Sequence, residues 1–496
     1  MLVEEISVSP QPPANSQQFT VLIPEGSRAE LPLDQVVFTR REVQGHERVR
    51  WWGIVESNQM SESYTAHVRV LRRHPDVAVP PGAFEKVWLA DSENVAWALR
   101  FTDMRRRIPA GLLASGDPAY LNLDFLSGAR GGHLNISGMS GMATKTSYAL
   151  FLLYALLHGP TAAKSRAIVF NVKGDGLLHL HEPNPSLSAD DEATYKKLGL
   201  PVGPFPEVQF HATDRPLWTL HEFARRELIR FLFTEDQTEP AQFAVDTLAG
   251  VLRQQAEACS GPELVAHGTT YSNFAELSQA ICQTADQADN PWYEKTSAST
   301  RLASVRRLRA LTPQVSQLIG PEATFNYDHP LNVVDLHRLS QRASAFVVGA
   351  VLKTLFERRE QLGPSHPTVY LLVDELNKYA PSTDPGPIGK LLVDVAERGR
   401  SLGIVLLGAQ QAASSVQDRV VSNAAIRVAG RLDAGESRQD EYAWLSPTMR
   451  ERATDFLPGT MAVLQPEIPV PLVVRFPFPC WASQGKARRS PPAPPV

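Results

Sequence analysis

A glycine-containing segment between residues 133 and 147 carries the residue types that bind phosphate. It reads His133-Leu-Asn-Ile-Ser-Gly-Met-Ser-Gly-Met-Ala-Thr-Lys-Thr-Ser147, and an apolar stretch typical of a helix follows it. A strand, a glycine-containing loop and a helix N-terminus in this order let backbone N–H groups converge on phosphate oxygens. The usual spelling of such a loop is G-x-x-x-x-G-K-[ST]. Here Gly138 precedes Lys145 by one residue more than usual, and Thr144 replaces the glycine before the lysine.

The segment predicts a nucleotide site with defined roles for two side chains. Lys145 would neutralise the β- and γ-phosphates, and the Thr146 hydroxyl would bind Mg²⁺. A β-branched Thr144 is costly if its φ is positive, so Gly141 is our hypothesis for the tight bend. The alternative is a helix N-terminus capped by Ser or Thr, with Lys145 solvated. The predicted nucleotide-binding residues are Gly138, Ser140, Gly141, Thr144, Lys145, Thr146 and Ser147.

An acid pair more than 200 residues downstream supplies the second half of such a site. The run Thr368-Val-Tyr-Leu-Leu-Val-Asp-Glu375 is a predicted strand that ends in Asp374 and Glu375. Asp374 at the strand tip can hold Mg²⁺ through its water shell, and Glu375 can orient or deprotonate an attacking water. Carboxylates at a strand tip also serve as helix N-caps, which is the alternative interpretation.

Two further candidates follow the acid pair. Arg400 lies at the end of a predicted helix over residues 387–401, and Gln410 lies at the tip of the next predicted strand. Gln410 would sense the γ-phosphate, whereas Arg400 would reach a neighbouring subunit's nucleotide as an arginine finger. A surface arginine and a structural glutamine are the alternatives. The predicted catalytic residues are therefore Glu375, Lys145, Arg400 and Gln410.

Alternating strands and helices must position these residues. Short apolar runs typical of buried parallel strands alternate with predicted helices at 146–158, 340–360 and 387–401, which indicates an open α/β sheet. Helical spacing between 215 and 320 predicts a helical insertion in this sheet. The predicted core strands cover residues 133–137, 167–171, 331–335, 369–374, 403–407 and 425–429.

The N-terminal region has a different, strand-rich pattern. Segments 31–38, 49–55, 64–70 and 95–101 carry β-branched and aromatic residues, which predicts a small β-barrel after a flexible leader over 1–16. The tail is basic and proline-rich and is predicted to be disordered. The predicted division is 1–112 for the barrel with its leader, 113–214 and 321–475 for the core, 215–320 for the insertion, and 476–496 for the C-terminal extension.

Composition limits the class of protein. The 496 residues carry a net charge of −4, which argues against a generally basic nucleic-acid coat. The basic clusters at 105–107 and 301–309 either contact nucleic-acid phosphates or form solvated surfaces. Three scattered cysteines suit a reducing compartment. We recognise no signal peptide and no apolar run long enough for a membrane span, so we expect a soluble cytoplasmic protein without a membrane partner.

With these residues in place, the chain resembles the HerA family of FtsK-related ring translocases. The resemblance rests on the strand-rich N-terminus, the lead-in Asp117-Pro-Ala-Tyr-Leu-Asn-Leu-Asp124, the acid pair, the Glu397-Arg-Gly-Arg-Ser-Leu-Gly403 helix end and Ala409-Gln410. It implies an α/β fold: a RecA-like P-loop ATPase core with a small N-terminal β-barrel of the HerA–ATP-synthase type. The phosphate loop departs from the family's usual G-x-T-G-S-G-K-[ST] form.

The resemblance also implies how the protein works. It implies a homohexamer that binds ATP and Mg²⁺ between subunits and threads DNA through its pore. A NurA-like nuclease in DNA end processing and repair, or another effector in phage defence, would be the partner. The family's trans-acting arginine looks like Arg400, with Arg427 and Arg431 as second choices.

Two main functions follow. The first is an ATP-driven DNA translocase or helicase. The second is a nucleotide-binding scaffold ring that assembles an effector with little ATP turnover. A monomeric nucleotide switch is a third, which a hexameric mass in solution would exclude.

Overall fold

The chain folds into two sheets with helices around the larger one. A computed structural model describes residues 6–23, 31–43, 46–60, 64–139, 145–234, 238–287, 289–363 and 367–483. The strands are β1 (Ser7–Val8), β2 (Gln18–Ile23), β3 (Val36–Val43), β4 (His46–Met60), β5 (Tyr64–His74), β6 (Val87–Leu89), β7 (Arg107–Leu112), β8 (Pro118–Asn122), β9 (Leu134–Ser137), β10 (Ser165–Asn171), β11 (Val208–His211), β12 (Trp218–Thr219), β13 (Leu264–Ala266), β14 (Thr269–Tyr271), β15 (Ile319–Gly320), β16 (Leu331–Asp335), β17 (Thr368–Asp374), β18 (Ile404–Gln410), β19 (Ile426–Ala429), β20 (Thr460–Leu464) and β21 (Leu472–Arg475). The helices are α1 (Ser92–Ala98), α2 (Lys145–Leu157), α3 (Ala189–Lys197), α4 (Leu220–Arg225), α5 (Glu239–Glu257), α6 (Phe274–Gln283), α7 (Ala298–Val315), α8 (Gln341–Leu362), α9 (Gly386–Leu402), α10 (Asp418–Ser422) and α11 (Pro447–Thr454).

The N-terminal strands form a nearly closed antiparallel sheet. Its order is β1-β2-β5-β4-β3-β6, and a bridge between Ser7 and Lys86 joins its two edges. The backbone N–H of Val8 donates to the carbonyl of Glu85 at 2.8 Å, which extends this closure. The inward side chains, among them Val21 and Trp51, form a separate buried cluster.

Three expectations for this region differ from the structure. Residues 95–101 were expected to form a strand, but Asp91 accepts a hydrogen bond from the N–H of Asn94 and starts α1, which buries Val95 and Ala98 one turn apart. The predicted strand over 31–38 begins only at Val36. The expected leader supplies β1, because alternating Ile6 and Val8 are buried in the sheet.

The second sheet is mixed and carries the phosphate-loop segment. Its order is β11-β16-β10-β17-β18-β9-β19-β20-β21-β7-β8. The strands from β11 to β19 in this order are parallel to their neighbours, and those from β20 to β8 are antiparallel. The six predicted core strands are confirmed as β9, β10, β16, β17, β18 and β19, with ends that shift by at most three residues.

The central strands are apolar throughout because both of their faces are covered. In β17, Val369, Leu371 and Val373 face one buried cluster that includes residues of α8 and α9. Tyr370 and Leu372 face the other cluster, which includes most of α2. This alternation explains why the strands read as continuous hydrophobic runs rather than as polar–apolar repeats.

Helices between β11 and β16 cover one end of the large sheet. They are α4 to α7, joined by the short hairpin of β13 and β14. Leu248 of α5, Phe274 of α6 and Leu308 of α7 lie in the same buried cluster as Phe346 of α8. These helices therefore share one buried core with α8.

One of the predicted boundaries can be placed on a hairpin of the large sheet. Residue 112 ends β7, and its hairpin partner β8 begins at Pro118, so the boundary at 112 falls inside one hairpin of the large sheet. The tail beyond residue 483 lies outside the described residues. Among the helices that the structure describes, none combines the length and apolarity of a membrane span.

Candidate nucleotide site

Four neighbouring parallel strands end at one edge of the large sheet. In spatial order they are β10, β17, β18 and β9, and their last residues are Asn171, Asp374, Gln410 and Ser137. Asp374 pairs in register with Ala409, and Gln410 pairs with Ser137. Polar residues from distant parts of the sequence therefore meet at the carboxyl edge of the sheet, where ligands of open α/β folds bind.

Helix α2 presents its first two residues to this edge. The Thr146 hydroxyl donates a hydrogen bond to Oδ2 of Asp374 at 2.9 Å. Lys145 begins α2 and is only 3% exposed. Burial lowers the pKa of Lys145 from its ordinary value, although the carboxylates of Asp374 and Glu375 act against this shift. The structure thus brings together both predicted magnesium ligands and the predicted phosphate-binding lysine.

A cavity of about 300 Å³ opens beside these side chains. Lys145, Thr146 and Asp374 line it together with the end of β10. The remaining lining residues are Val169, Phe170, Asn171, Val172, Lys173, Gly176, Leu177 and Leu372.

The donor set around the cavity fits a magnesium polyphosphate. An ammonium group suits phosphate oxygens, whereas a hydroxyl and a carboxylate are the oxygen ligands that Mg²⁺ prefers. Asn171 is fully buried, and its Oδ1 has no hydrogen-bond partner among the described residues. A group that brings a donor, such as metal-bound water, would satisfy that oxygen.

Glu375 follows β17 in a left-handed conformation, with φ of 56°. Its backbone N–H donates to Oδ1 of Asp374 at 2.9 Å, and a short 3-10 turn over Leu376–Lys378 follows. Lys173 forms an ion pair with its Oε1, and Nζ of Lys378 lies 3.2 Å from its Oε2. Burial favours the protonated carboxyl, but the hydrogen bonds from the two lysines outweigh it and hold the pKa of Glu375 below its ordinary value. Glu375 is therefore a carboxylate at neutral pH.

Gln410 is fully buried and its amide is engaged inside the sheet. Its Nε2 donates to Oδ1 of Asn135 at 2.7 Å and to Oγ of Ser137 at 2.8 Å. Its backbone carbonyl accepts from the N–H of Gly138 at 3.2 Å. Gln410 thus anchors the strand from which the loop departs.

The phosphate loop itself is described only at its two ends. Gly138 continues from β9, and the N–H of Met139 donates to the carbonyl of Arg431 at 2.7 Å. Ser147 lies in the first turn of α2 and is partly exposed. The predicted contacts of Ser140, Gly141 and Thr144 lie outside the described residues.

The three candidate arginines lie at different places on the sheet. Arg400 lies in the last turn of α9, where its Nε and Nη2 donate to the carbonyls of Gly128 and Ala129 at 2.9 and 3.1 Å. Helix α9 ends at Leu402, and β18 then crosses the sheet from Ile404. The length of this strand, about 20 Å, therefore separates Arg400 from the acid pair. Arg427 lies within β19. Arg431 follows β19 at the carboxyl edge, and its Nε donates to the carbonyl of Thr454 at 2.9 Å.

The basic clusters are partly engaged within the chain. Arg106 forms an ion pair with Asp124 at 2.6 Å, and Arg107 donates to the carbonyl of Phe101 at 2.6 Å. Arg301 is buried and donates to the carbonyl of Ala285 at 2.6 Å. Arg301 therefore stabilises the core, whereas Arg106 and Arg107 make contacts within the chain but keep exposed side chains.

Comparisons with known proteins identify the fold. No family model matches the chain, and no curated protein matches it. VirB4 of Thermoanaerobacter pseudethanolicus is 15% identical over 75% of this chain and 96% of its own, with a TM-score of 0.50. The bacterial conjugative coupling protein TrwBdeltaN70, in its trigonal form with sulphate, is 13% identical over 79% of this chain and 94% of its own, with a TM-score of 0.51. This chain has the fold of VirB4 and TrwB.

Within the fold shared with VirB4 and TrwB, the structure adds site residues that the sequence analysis did not select. Lys173 and Asn171 line the cavity, and Lys378 contacts Glu375. The available signal was the switch from the apolar run of β10 to Asn171-Val-Lys-Gly174 at a strand tip. Only the order of the strands, which places β10 beside β17, brings this tip to the acid pair.

Proposed function

We propose that this protein is an ATP-driven DNA translocase of the HerA type. The proposal rests on the arrangement of side chains at the carboxyl edge of the large sheet. Lys145, Thr146 and Asp374 line one cavity, and Glu375 directly follows Asp374. A buried lysine, a hydroxyl paired with a carboxylate, and a second ionised carboxylate are the groups that phosphoryl transfer to water needs.

Each residue has a role in this proposal. Lys145 neutralises phosphate charge, and backbone N–H groups of the segment before it would bind phosphate oxygens. Thr146 and Asp374 would hold Mg²⁺, and the ion would supply positive charge to the phosphates during transfer. Glu375 orients the attacking water and accepts its proton. Gln410 would sense the γ-phosphate indirectly, because its amide binds Asn135 and Ser137 of β9, the strand that leads into the loop.

The DNA part of the proposal draws on the fold. A neighbour with the same fold is named a bacterial conjugative coupling protein, and the sequence motifs resemble those of HerA translocases. The nearly closed N-terminal sheet would be the HerA–ATP-synthase barrel on a RecA-like core. The protein would work in the cytoplasm, and its partner would be a NurA-like nuclease or another effector.

A homohexamer is part of this proposal, and the position of Arg400 supports it. Arg400 lies in the last turn of α9, at the opposite edge of the sheet from Glu375, so it is too far away to act on the nucleotide of its own subunit. A ring that places ATP between subunits provides such a neighbour. Arg427, within β19, and Arg431, at the carboxyl edge beside its own loop, are the second choices.

One observation favours a second function, a scaffold ring with little turnover. Both carboxylate oxygens of Glu375 form ion pairs with lysines, so the predicted base is ionised but neither of its oxygens is free to accept a proton from water. If phosphate release with DNA and partner present is near background and equal in wild type and Lys145→Ala, the translocase is wrong and the scaffold is the function that remains.

A triplex-displacement assay tests translocation. A third strand bound to duplex DNA should be displaced by wild type with ATP, and not with ATPγS or by Lys145→Ala. Displacement by the variant at the wild-type rate would overturn the proposal. Mass photometry with ATPγS and DNA should show a hexamer.

A further inference from the structure

The turn after β10 places a second lysine in the candidate nucleotide site. We propose that Lys173 binds the terminal phosphate of a nucleoside triphosphate and exchanges that contact with its ion pair to Glu375. This inference rests on the proposed function and specifies how the site distinguishes a triphosphate from a diphosphate. Lys173 lines the same cavity as Lys145 and Thr146, and its Nζ contacts Oε1 of Glu375.

Buried polar contacts hold the turn that carries Lys173. Nδ2 of Asn171 donates to the carbonyl of Gly174 at 3.0 Å and to Oδ1 of Asp335 at 2.9 Å. The same Oδ1 of Asp335 lies 2.6 Å from Nδ1 of His337. Gly174 has φ of 59°, which a glycine adopts without strain. The backbone at Lys173 is therefore fixed by β10 and β16, while its side chain remains 57% exposed.

The local charges favour the exchange. Lys145, Lys173 and Lys378 lie around Asp374 and Glu375, so these five side chains comprise three cations and two anions. Partial burial opposes the charge of Lys173, but the hydrogen bond to Glu375 and the nearby carboxylates keep its pKa above the ordinary value. A terminal phosphate brings further negative charge, and the flexible lysine stem lets the ammonium follow it.

The exchange has a consequence for Glu375. When Lys173 contacts phosphate, Oε1 of Glu375 loses its cation, whereas Oε2 keeps Lys378 at 3.2 Å. The freed oxygen can then accept a hydrogen bond from water. Lys173 thus couples the presence of the terminal phosphate to the release of the predicted base.

Lys378 provides a matched control. It contacts the same carboxylate as Lys173 and has nearly the same side-chain exposure, 58% against 57%. It is not among the residues that line the cavity. Loss of Lys378 therefore removes an ion pair of Glu375 without removing a phosphate ligand.

Isothermal titration calorimetry of the full chain, which measures its affinities for Mg·ATPγS and for Mg·ADP, tests the inference. Lys173→Met should weaken ATPγS binding about tenfold and change ADP binding by less than about twofold, because one charge-assisted hydrogen bond is lost only with the triphosphate. Lys378→Met should leave the ratio of the two affinities unchanged, and Lys173→Arg should restore most of the preference for ATPγS. Melting curves verify that each variant is folded.

The outcomes separate the two proposals. If Lys173→Met weakens both nucleotides equally or neither of them, the role of Lys173 is wrong and the nucleotide site stands. The role of Lys173 is also wrong if Lys378→Met lowers the ratio as much as Lys173→Met does. If folded wild type binds neither nucleotide, the proposed function and the role of Lys173 both fail.

Discussion

The hydroxyl of Thr146 donates a hydrogen bond to Oδ2 of Asp374 at 2.9 Å, across 228 residues of sequence. The contact joins the first turn of α2 to the tip of β17. Both residues are predicted magnesium ligands, and this hydrogen bond holds them next to each other. The fold therefore fixes the spacing of the two ligands.

Thr146→Val tests this pair. The valine keeps the shape of threonine but removes the hydroxyl, so Mg²⁺ loses a ligand and Asp374 loses its donor. We expect affinity for ATPγS in Mg²⁺ to fall about tenfold, with little change in EDTA. Thr146→Ser keeps the hydroxyl and should bind as wild type. Equal binding by the valine variant in Mg²⁺ would contradict the assignment.

Gln410→Leu should destabilise the core. The substitution leaves Asn135 and Ser137 without their buried partner, which should lower the free energy of unfolding by about 2 kcal/mol. Gln411 is exposed, so Gln411→Leu is the control and should change the free energy of unfolding little. Urea unfolding measures both. An unchanged midpoint for Gln410→Leu would show that the network adds no stability.

His133 should make stability depend on pH. Burial lowers the pKa of His133 to about 4 from its ordinary 6.5, and its Nδ1 accepts a hydrogen bond from the N–H of Leu406 at 2.9 Å. The unfolded chain binds a proton more readily between these values. The contribution of His133 is therefore complete above pH 6.5 and is lost as pH falls to 4, by about 3 kcal/mol.

His133→Asn isolates this effect. Asparagine tolerates the positive φ of 67° at this position and offers an acceptor, but it does not titrate in this range. Its unfolding free energy should fall less than that of wild type between pH 6.5 and 4. Parallel curves for the two proteins would show that His133 does not titrate on unfolding.

Arg400→Ala tests whether the arginine acts in trans. Arg400→Ala alone should bind ATPγS normally but should not turn over ATP. Lys145→Ala alone should also lack turnover, because it no longer binds the nucleotide. Co-expressed in equal amounts, the two inactive variants should recover about a quarter of wild-type turnover, because that share of interfaces pairs an intact Lys145 with an intact Arg400. Arg398→Ala, on the same helix, should stay active. No recovery in mixed rings would exclude a trans role.

The sequence predicts the core of the large sheet because burial on both faces leaves an unambiguous signal. Runs such as the one that ends at Asp374 are apolar throughout and finish in polar residues. The strand predicted over 95–101 is wrong. It was predicted because Val95, Trp97 and Leu99 fit an alternating strand pattern as well as a helix. The N-cap at Asp91 decides the outcome in favour of α1.

The candidate site is less visible in sequence than the sheet. The phosphate-loop and acid-pair motifs predict four site residues that the fold brings together, namely Lys145, Thr146, Asp374 and Glu375. Lys173 belongs to no motif that the sequence analysis used, and its contact with Glu375 depends on β10 lying beside β17. Spatial order of strands is a tertiary property that a single sequence does not reveal.

Phosphate release from ATP, with and without duplex DNA, tests the central claim most directly when wild type is compared with Glu375→Gln. Glutamine keeps the shape of Glu375 but cannot accept the proton of water. We predict that DNA raises the wild-type rate and that Glu375→Gln falls at least about a hundredfold while it still binds ATPγS. Equal, near-background rates for both proteins in the presence of DNA would contradict an ATP-driven translocase.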